Sequence, residues 1–188
     1  MGKSTLESLP NELLLTAFSY LSSFDLCQAF LDINNARVQS LLSSIHHSFN
    51  VDLMHHDQLH DWLNGDRNLR NRFTSLIETV VFNDSPGCHM LMKYWEKVLS
   101  DKDPYNVLFS SIKRFVVTQA ERYSYSLVGS ILVPFTFADN TLQYVHFIFN
   151  EPTFGYSRML SELIERRVSI HTMILEAEQG MLSTQFST

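Results

Sequence analysis

Glycine is scarce in this chain: 6 residues out of 188, scattered. No G-x-G-x-x-G or phosphate-loop pattern occurs, so the usual nucleotide cradles are not indicated. There is no G-x-S-x-G turn to present a hydrolase serine. The two cysteines, Cys27 and Cys88, are too few for a disulfide framework. Cys27 falls among apolar neighbours and reads as a reduced thiol in a core. Charge is sparse at 18% and its balance is −6, with neither the first fifty residues nor the remainder basic. A phosphate-binding stripe, and with it a nucleic-acid partner, is not expected. Long apolar runs are missing as well. The longest, such as residues 127–137, fall short of the ~18 a membrane span needs, so no membrane partner is expected. No secretory signal opens the chain, and Leu6 occupies the position where a myristoylation start needs Ser or Thr. The Asn83-Asp84-Ser85 sequon means little without such a signal. The expected location is the cytosol or the nucleus.

Chemistry-bearing clusters are few. His55, His56 and His60 alternate with Asp57 and Asp61, but no H-E-x-x-H glutamate and no cysteine accompanies them. A solvated helix is the better reading. Cys88-His89 follows a Pro86-Gly87 turn, and adjacency in sequence does not make a nucleophile–base pair. Arg67, Arg70 and Arg72 read as a solvated helix face. No catalytic residue, metal site or cofactor is expected.

What the chain does have is apolar bulk. Hydrophobic residues make up 45%, with 14 Phe, 7 Tyr and 2 Trp. That is a globular composition able to build a core, in one or two domains.

The N-terminal part reads as three helices. Pro10 sits where a helix begins, a position that wastes no donor. Leu13, Leu14, Ala17, Phe18 and Leu21 then recur at helical spacing, over residues 10–21. Ser22 with Asp25 three residues on is a capping-box pattern opening a second helix with Leu26, Ala29, Phe30 and Ile33. Asn34-Asn35 interrupts it. A third helix carries Val38, Leu41, Leu42 and Ile45. Three helices of about ten residues make a marginal unit alone. The block leans on the following domain, on a partner, or on both.

The run Leu9-Pro10-x-Glu12-Leu13-Leu14-Leu15-x-x-Phe18-x-x-Leu21, followed by Asp25-Leu26, resembles an F-box. The resemblance covers residues 6 to about 45 and a domain of residues 3–47. It departs from the family late in the motif, where Val38 stands in the place of a tryptophan and Arg37 takes that of the arginine. The family implies a three-helix module that binds the Skp-family adaptor of SCF-type ubiquitin ligases, and through it a cullin. By the resemblance Leu9, Pro10, Leu13, Leu14, Phe18, Leu21 and Leu26 supply the adaptor-facing or helix-packing surface.

The rest, residues 48–188, repeats a pattern. Apolar-x-x-apolar-x-apolar appears at Ile77, Ile112, Leu142 and Ile170, at intervals of 28–35 residues. An earlier copy begins near Ser48. Helical stretches lie between, near residues 58–63, 89–99, 123–132 and 156–166. Strand then helix at this period fits a leucine-rich-repeat-like α/β solenoid with parallel strands. An ordinary α/β domain with parallel strands gives the same local structure. Asn150 alone fills the asparagine position of the repeat.

In the solenoid reading one sheet face is open for a protein substrate. It carries Thr79, Val81 and Asn83, then Arg114, Val116 and Thr118, then Tyr144, His146 and Ile148, then Thr172, Ile174 and Glu176. Residues 181–188 show no polar cap for the last strand, as in a fragment of a longer repeat protein. The leading expectation is a substrate-recruiting subunit of a cullin-based ubiquitin ligase. The alternative is a scaffold unrelated to ubiquitin, its helical block capping the solenoid with Leu13 and Phe18 buried against the first repeat. An enzyme comes third.

Overall fold

The computed structural model describes residues 8–51, 54–100, 109–120, 142–150, 154–165, 170–177 and 183–187. Residues 3–7 of the N-terminal block, the helix expected at 123–132, and Arg166 lie outside them.

Three short helices open the chain: α1 (Asn11–Phe18), α2 (Ser23–Phe30) and α3 (Ala36–Ser44). Pro10 is the N-cap residue of α1. This helix stops three residues earlier than its leucine pattern suggests. Tyr20 N–H donates to Ala17 O and Leu21 N–H to Phe18 O, at 3.3 and 3.1 Å. Such i→i+3 bonds tighten a last turn into a stop. The Ser22 hydroxyl accepts from Asp25 N–H at 3.1 Å and so caps α2, as the spacing predicts. Asn35 Oδ1 caps α3 by accepting from Arg37 N–H at 3.0 Å and Val38 N–H at 3.3 Å.

The chain then enters a sheet. The remaining elements are β1 (His47–Asn50), α4 (His56–Asn64), α5 (Arg67–Leu76), β2 (Ile77–Phe82), α6 (Pro86–Ser100), β3 (Arg114–Val117), β4 (Tyr144–Phe149), α7 (Phe154–Glu165), β5 (Thr172–Ala177) and β6 (Ser183–Ser187). Strands β1 to β5 run parallel and pair in sequence order, and β6 returns antiparallel on β5. The order shows no reversal, the feature that marks a doubly wound sheet. The fold is therefore α+β with a five-stranded parallel sheet. The strands coincide with the repeated apolar pattern, including the early copy near Ser48.

The interval before β2 holds two helices: α4 over the stretch expected near residues 58–63, and α5, where Arg67, Arg70 and Arg72 were read as a helix face. Two readings need correction. Pro86-Gly87 is not a turn before the next helix but its first turn. Pro at the first helical position wastes no donor, and the Ser85 hydroxyl accepts from Cys88 N–H at 3.2 Å. The last parallel strand does not end bare: β6 pairs with it from Thr172↔Ser187 to Glu176↔Ser183.

Burial alternates along the strands. Val80 and Phe82, Phe115 and Val117, Val145, Phe147 and Phe149, and Leu175 are buried in one cluster with Leu59, Leu63, Phe73, Leu91, Trp95 and Leu163 of the helices. The opposite face stays partly open. Parallel sheets are commonly covered on both faces; among the described residues helices cover one face, and the side chains of the other are mostly half-buried. A smaller second cluster of Leu14, Phe18, Leu26, Val38, Leu41 and Leu42 holds the three helices together.

Candidate functional site

Two surfaces merit attention: the outer side of α1 and the open face of the sheet. The first follows from how the helical block is fastened. Helix α2 serves both clusters. Its Leu26 packs into the three-helix cluster, while Cys27 and the following Leu31 enter the sheet core. Phe24 meets Phe73 edge-on at 5.9 Å. Arg72 pairs with Asp32 at 3.0 Å and also donates to Leu31 O. Ser48 N–H of β1 donates to Ser23 Oγ at 3.2 Å. The block is thus seated on the sheet through α2.

Helix α1 faces away. Leu14 and Phe18 turn inward, with Phe18 packing on Phe30 at 4.9 Å between ring centroids. Leu13 remains 54% exposed, Tyr20 84% and Leu21 43%. Leu13 and exposed Ala17 share one side of α1 at i and i+4, and Tyr20 and Leu21 stand exposed in the turn that closes it. Leu15 is exposed on a different side. Of the other residues singled out from sequence, Pro10 is exposed, Leu9 half-buried and Leu26 buried. The start of α1 is fixed from α3: Arg37 Nε donates to Asn11 Oδ1 at 2.7 Å, and Nη2 donates to Leu9 O. Arg37 therefore sets where the apolar stripe points. Burial of Leu13 against the first repeat, which a pure capping role calls for, does not occur.

The second surface is flat and mixed. Thr79, Arg114, Tyr144 and Thr172 align in one row across β2 to β5, and Val81, Val116, His146 and Ile174 in the next. All eight lie on the half-open face. The Arg114 guanidinium stacks over the Tyr144 ring at 4.7 Å. Tyr144 Oη lies 3.4 Å from His146 Nδ1, and His146 Nε2 lies 2.9 Å from Glu176 Oε2. These contacts form a connected polar line across three strands. Thr118 and Ile148 are half-buried, and Asn83 is drawn into the turn before α6, where its Oδ1 accepts from Ser85 N–H at 3.1 Å.

A third group went unread in the sequence. Glu78 receives Lys113 Nζ on one oxygen, and His46 Nδ1 lies 2.5 Å from the other. The hydrogen bond from Lys113 is the largest cause that holds the Glu78 carboxyl below its usual range. His46 Nε2 also meets Thr79 Oγ1 at 2.9 Å. The cluster ties β2 to residues just before β1 and just before β3.

No known family, curated protein or solved structure matches this chain.

The remaining candidates resolve into structure. Arg70 is not on a solvated face. It is buried, and its Nη1 donates to Leu63 O at 2.8 Å and reaches Trp62 O and Gly65 O at 3.4 Å. It closes the carbonyl end of α4, a role open to arginine. The signal was present: Arg70, Phe73, Thr74 and Ile77 stand at i, i+3, i+4 and i+7, all buried. His56 and His60 are exposed, each next to its neighbouring aspartate. Among the described residues no group of three His, Cys, Asp or Glu could hold a metal. Cys88 is buried and its thiol donates to Asn83 Oδ1 at 3.3 Å, while His89 Nε2 pairs with Asp84 at 2.9 Å. No described helix is long and apolar enough to cross a membrane.

Proposed function

We propose that this chain recruits a protein to an SCF-type ubiquitin ligase. Its F-box-like helices hold the Skp-family adaptor, and through it a cullin, by the outer stripe of α1. The open sheet face, built as a leucine-rich-repeat-like surface, holds the protein to be ubiquitinated. One observation carries the reading. The helical block spends α2, not α1, on its attachment to the sheet, and α1 with its closing turn leaves Leu13 and Leu21 in water. Clustered exposed apolar side chains on a small unit mark a partner site. The second surface suits a protein ligand because aromatic, apolar and polar groups interleave on it.

The burial pattern chooses the variants. Phe18 would unfold the block, so the pair Leu13→Asp with Leu21→Asp is used instead. Co-purification of the full chain with the adaptor should succeed for the wild type. It should fail for the double variant at unchanged thermal stability. Apolar anchors of this kind cost ~2–4 kcal/mol on truncation. Equal binding by both forms, or by neither, sinks the reading.

A second reading draws on the same attachment. With Cys27 and Leu31 in the sheet core, the helices also close the β1 end of the sheet as a cap. A scaffold without an adaptor would use this attachment, although Leu13, which a cap would bury, stays in water. It predicts no adaptor binding by the wild type and little consequence of the α1 variants for capture of a sheet-face ligand.

A further inference from the structure

A cavity of about 280 Å³ opens at the seam between α2 and the α4–α5 corner. Three aromatic side chains line it: Phe24, Trp62 and Phe73. Their planes form a corner. Phe24 stands at 89° to Phe73 with centroids 5.9 Å apart, and Trp62 at 87° with centroids 5.4 Å apart. Among the described residues the charged side chains in the lining are Asp61 and Asp66, with no Lys, Arg or His, so the lining offers an anion no cationic partner.

The two carboxylates differ. Asp66 Oδ1 accepts from Asn68 N–H and Leu69 N–H, at 2.6 and 3.1 Å, and caps α5. Asp61 is 85% exposed, with His60 beside it at 3.5 Å. One free carboxylate cannot build a metal site. The two do place negative potential at the mouth of a cavity whose walls present aromatic rings. Cys27, also in the lining, adds no reactivity, because burial pushes its thiol up to about 12.

Aromatic faces attract cations; Phe24 and Trp62 are half-buried and within reach, while Phe73, 2% exposed, backs them. A bare primary ammonium is strongly hydrated and would lose that water against apolar walls. An alkylated ammonium holds its water less tightly and also buries methyl surface. We propose that this cavity binds a quaternary or otherwise alkylated ammonium group. The group is carried either by a small choline-like molecule or by a methylated lysine of a protein. The site is separate from α1 and does not depend on the ligase reading.

The test titrates the full chain with choline, with its uncharged isostere 3,3-dimethylbutan-1-ol, and with one short peptide bearing trimethyl-lysine or unmodified lysine. Calorimetry and tryptophan fluorescence serve as readouts. Choline or the trimethylated peptide should bind roughly tenfold tighter than its uncharged or unmethylated counterpart. Which of the two binds tighter identifies the carrier. Asp61→Asn, in an exposed side chain, should weaken binding several-fold without altering the fold, and Trp62→Leu should abolish it. If Trp62→Leu unfolds, Asp61→Asn carries the test. Leu13→Asp should leave binding unchanged, which separates this site from the adaptor surface. Equal affinity for choline and its isostere, no binding by choline or the methylated peptide, or indifference to Asp61→Asn overturns the proposal.

Discussion

Arg70 and Glu78 are charged residues whose surroundings the rest of the chain has arranged. Arg70 lies buried where α4 ends, and its guanidinium answers carbonyls that the helix leaves without partners. Glu78 receives Lys113 and His46, which lower its proton affinity in the folded state. The sign of the pH effect follows. The unfolded chain binds that proton at its ordinary value near 4.5, whereas the folded chain takes it up only at lower pH. The stabilisation is complete above the ordinary carboxylate range and is lost as pH falls through the folded value. Melting temperatures of the wild type and Glu78→Gln should therefore differ most near neutral pH and draw together on acidification through and below the ordinary carboxylate range. A gap that stays constant across that range would show that Glu78 contributes only shape. High salt should narrow the gap, since both partners reach solvent.

These two residues also show where sequence reading stops at this scale. Arg70 was legible, because it stands on the apolar stripe of α5, but charge outweighed position in the reading. The Glu78 cluster was not legible. Its members come from three separate crossings of the chain, and only the sheet register brings them together. The inward turn of Leu14 and Phe18 and the outward turn of Leu13 were half-legible. Helical spacing gives the stripe, but its width leaves open which edge meets a core.

Among the elements, α6 is placed by a glycine. A Cβ on Gly87 would lie 2.7 Å from Val51 Cγ1 and 3.3 Å from Leu59 Cδ2. Val51 and Leu59 are both buried, and the β-branched valine has little freedom to turn away. Helix propensity favours Gly87→Ala by about 1 kcal/mol. Overpacking opposes it by ~1–3 kcal/mol, and a stiff neighbour puts the cost at the higher end. The expected outcome is a net loss of roughly 1–2 kcal/mol in urea unfolding. A gain in stability would mean that α6 has room to move away from β1 and α4. The strands were the most legible elements, since their covered face repeats strictly, as in Val145, Phe147 and Phe149. The helices between them were less so. Polar α5 was read only as a helix face bearing Arg67, Arg70 and Arg72, without bounds, and α6 was started late because Pro86-Gly87 resembles a turn until Ser85 is seen to cap it.

At the scale of the whole molecule the question is whether two clusters make two folding units. Helix α2 argues that they do not. Leu26 belongs to the three-helix cluster, while Cys27 and Leu31 belong to the sheet core. Gln39 of α3 also donates to Phe30 O, Leu31 O and Ile33 O, at 3.1, 3.0 and 3.0 Å, so α3 fixes the same end of α2. A helix shared in this way cannot remain ordered on one side while the other melts. Leu31→Ala should therefore cost ~2–5 kcal/mol, and the loss should reach beyond the sheet. Amide hydrogen exchange reads this directly. Protection should fall by similar amounts in α1, α3 and β2 to β4, as in one cooperative unit. If protection falls in the sheet alone, the helical block folds by itself. The exposed stripe proposed to meet an adaptor would then belong to an independent module, not to a surface held in place by the sheet. A uniform fall would mean that occupancy of the α1 stripe stabilises the whole chain by mass action, the sheet face included.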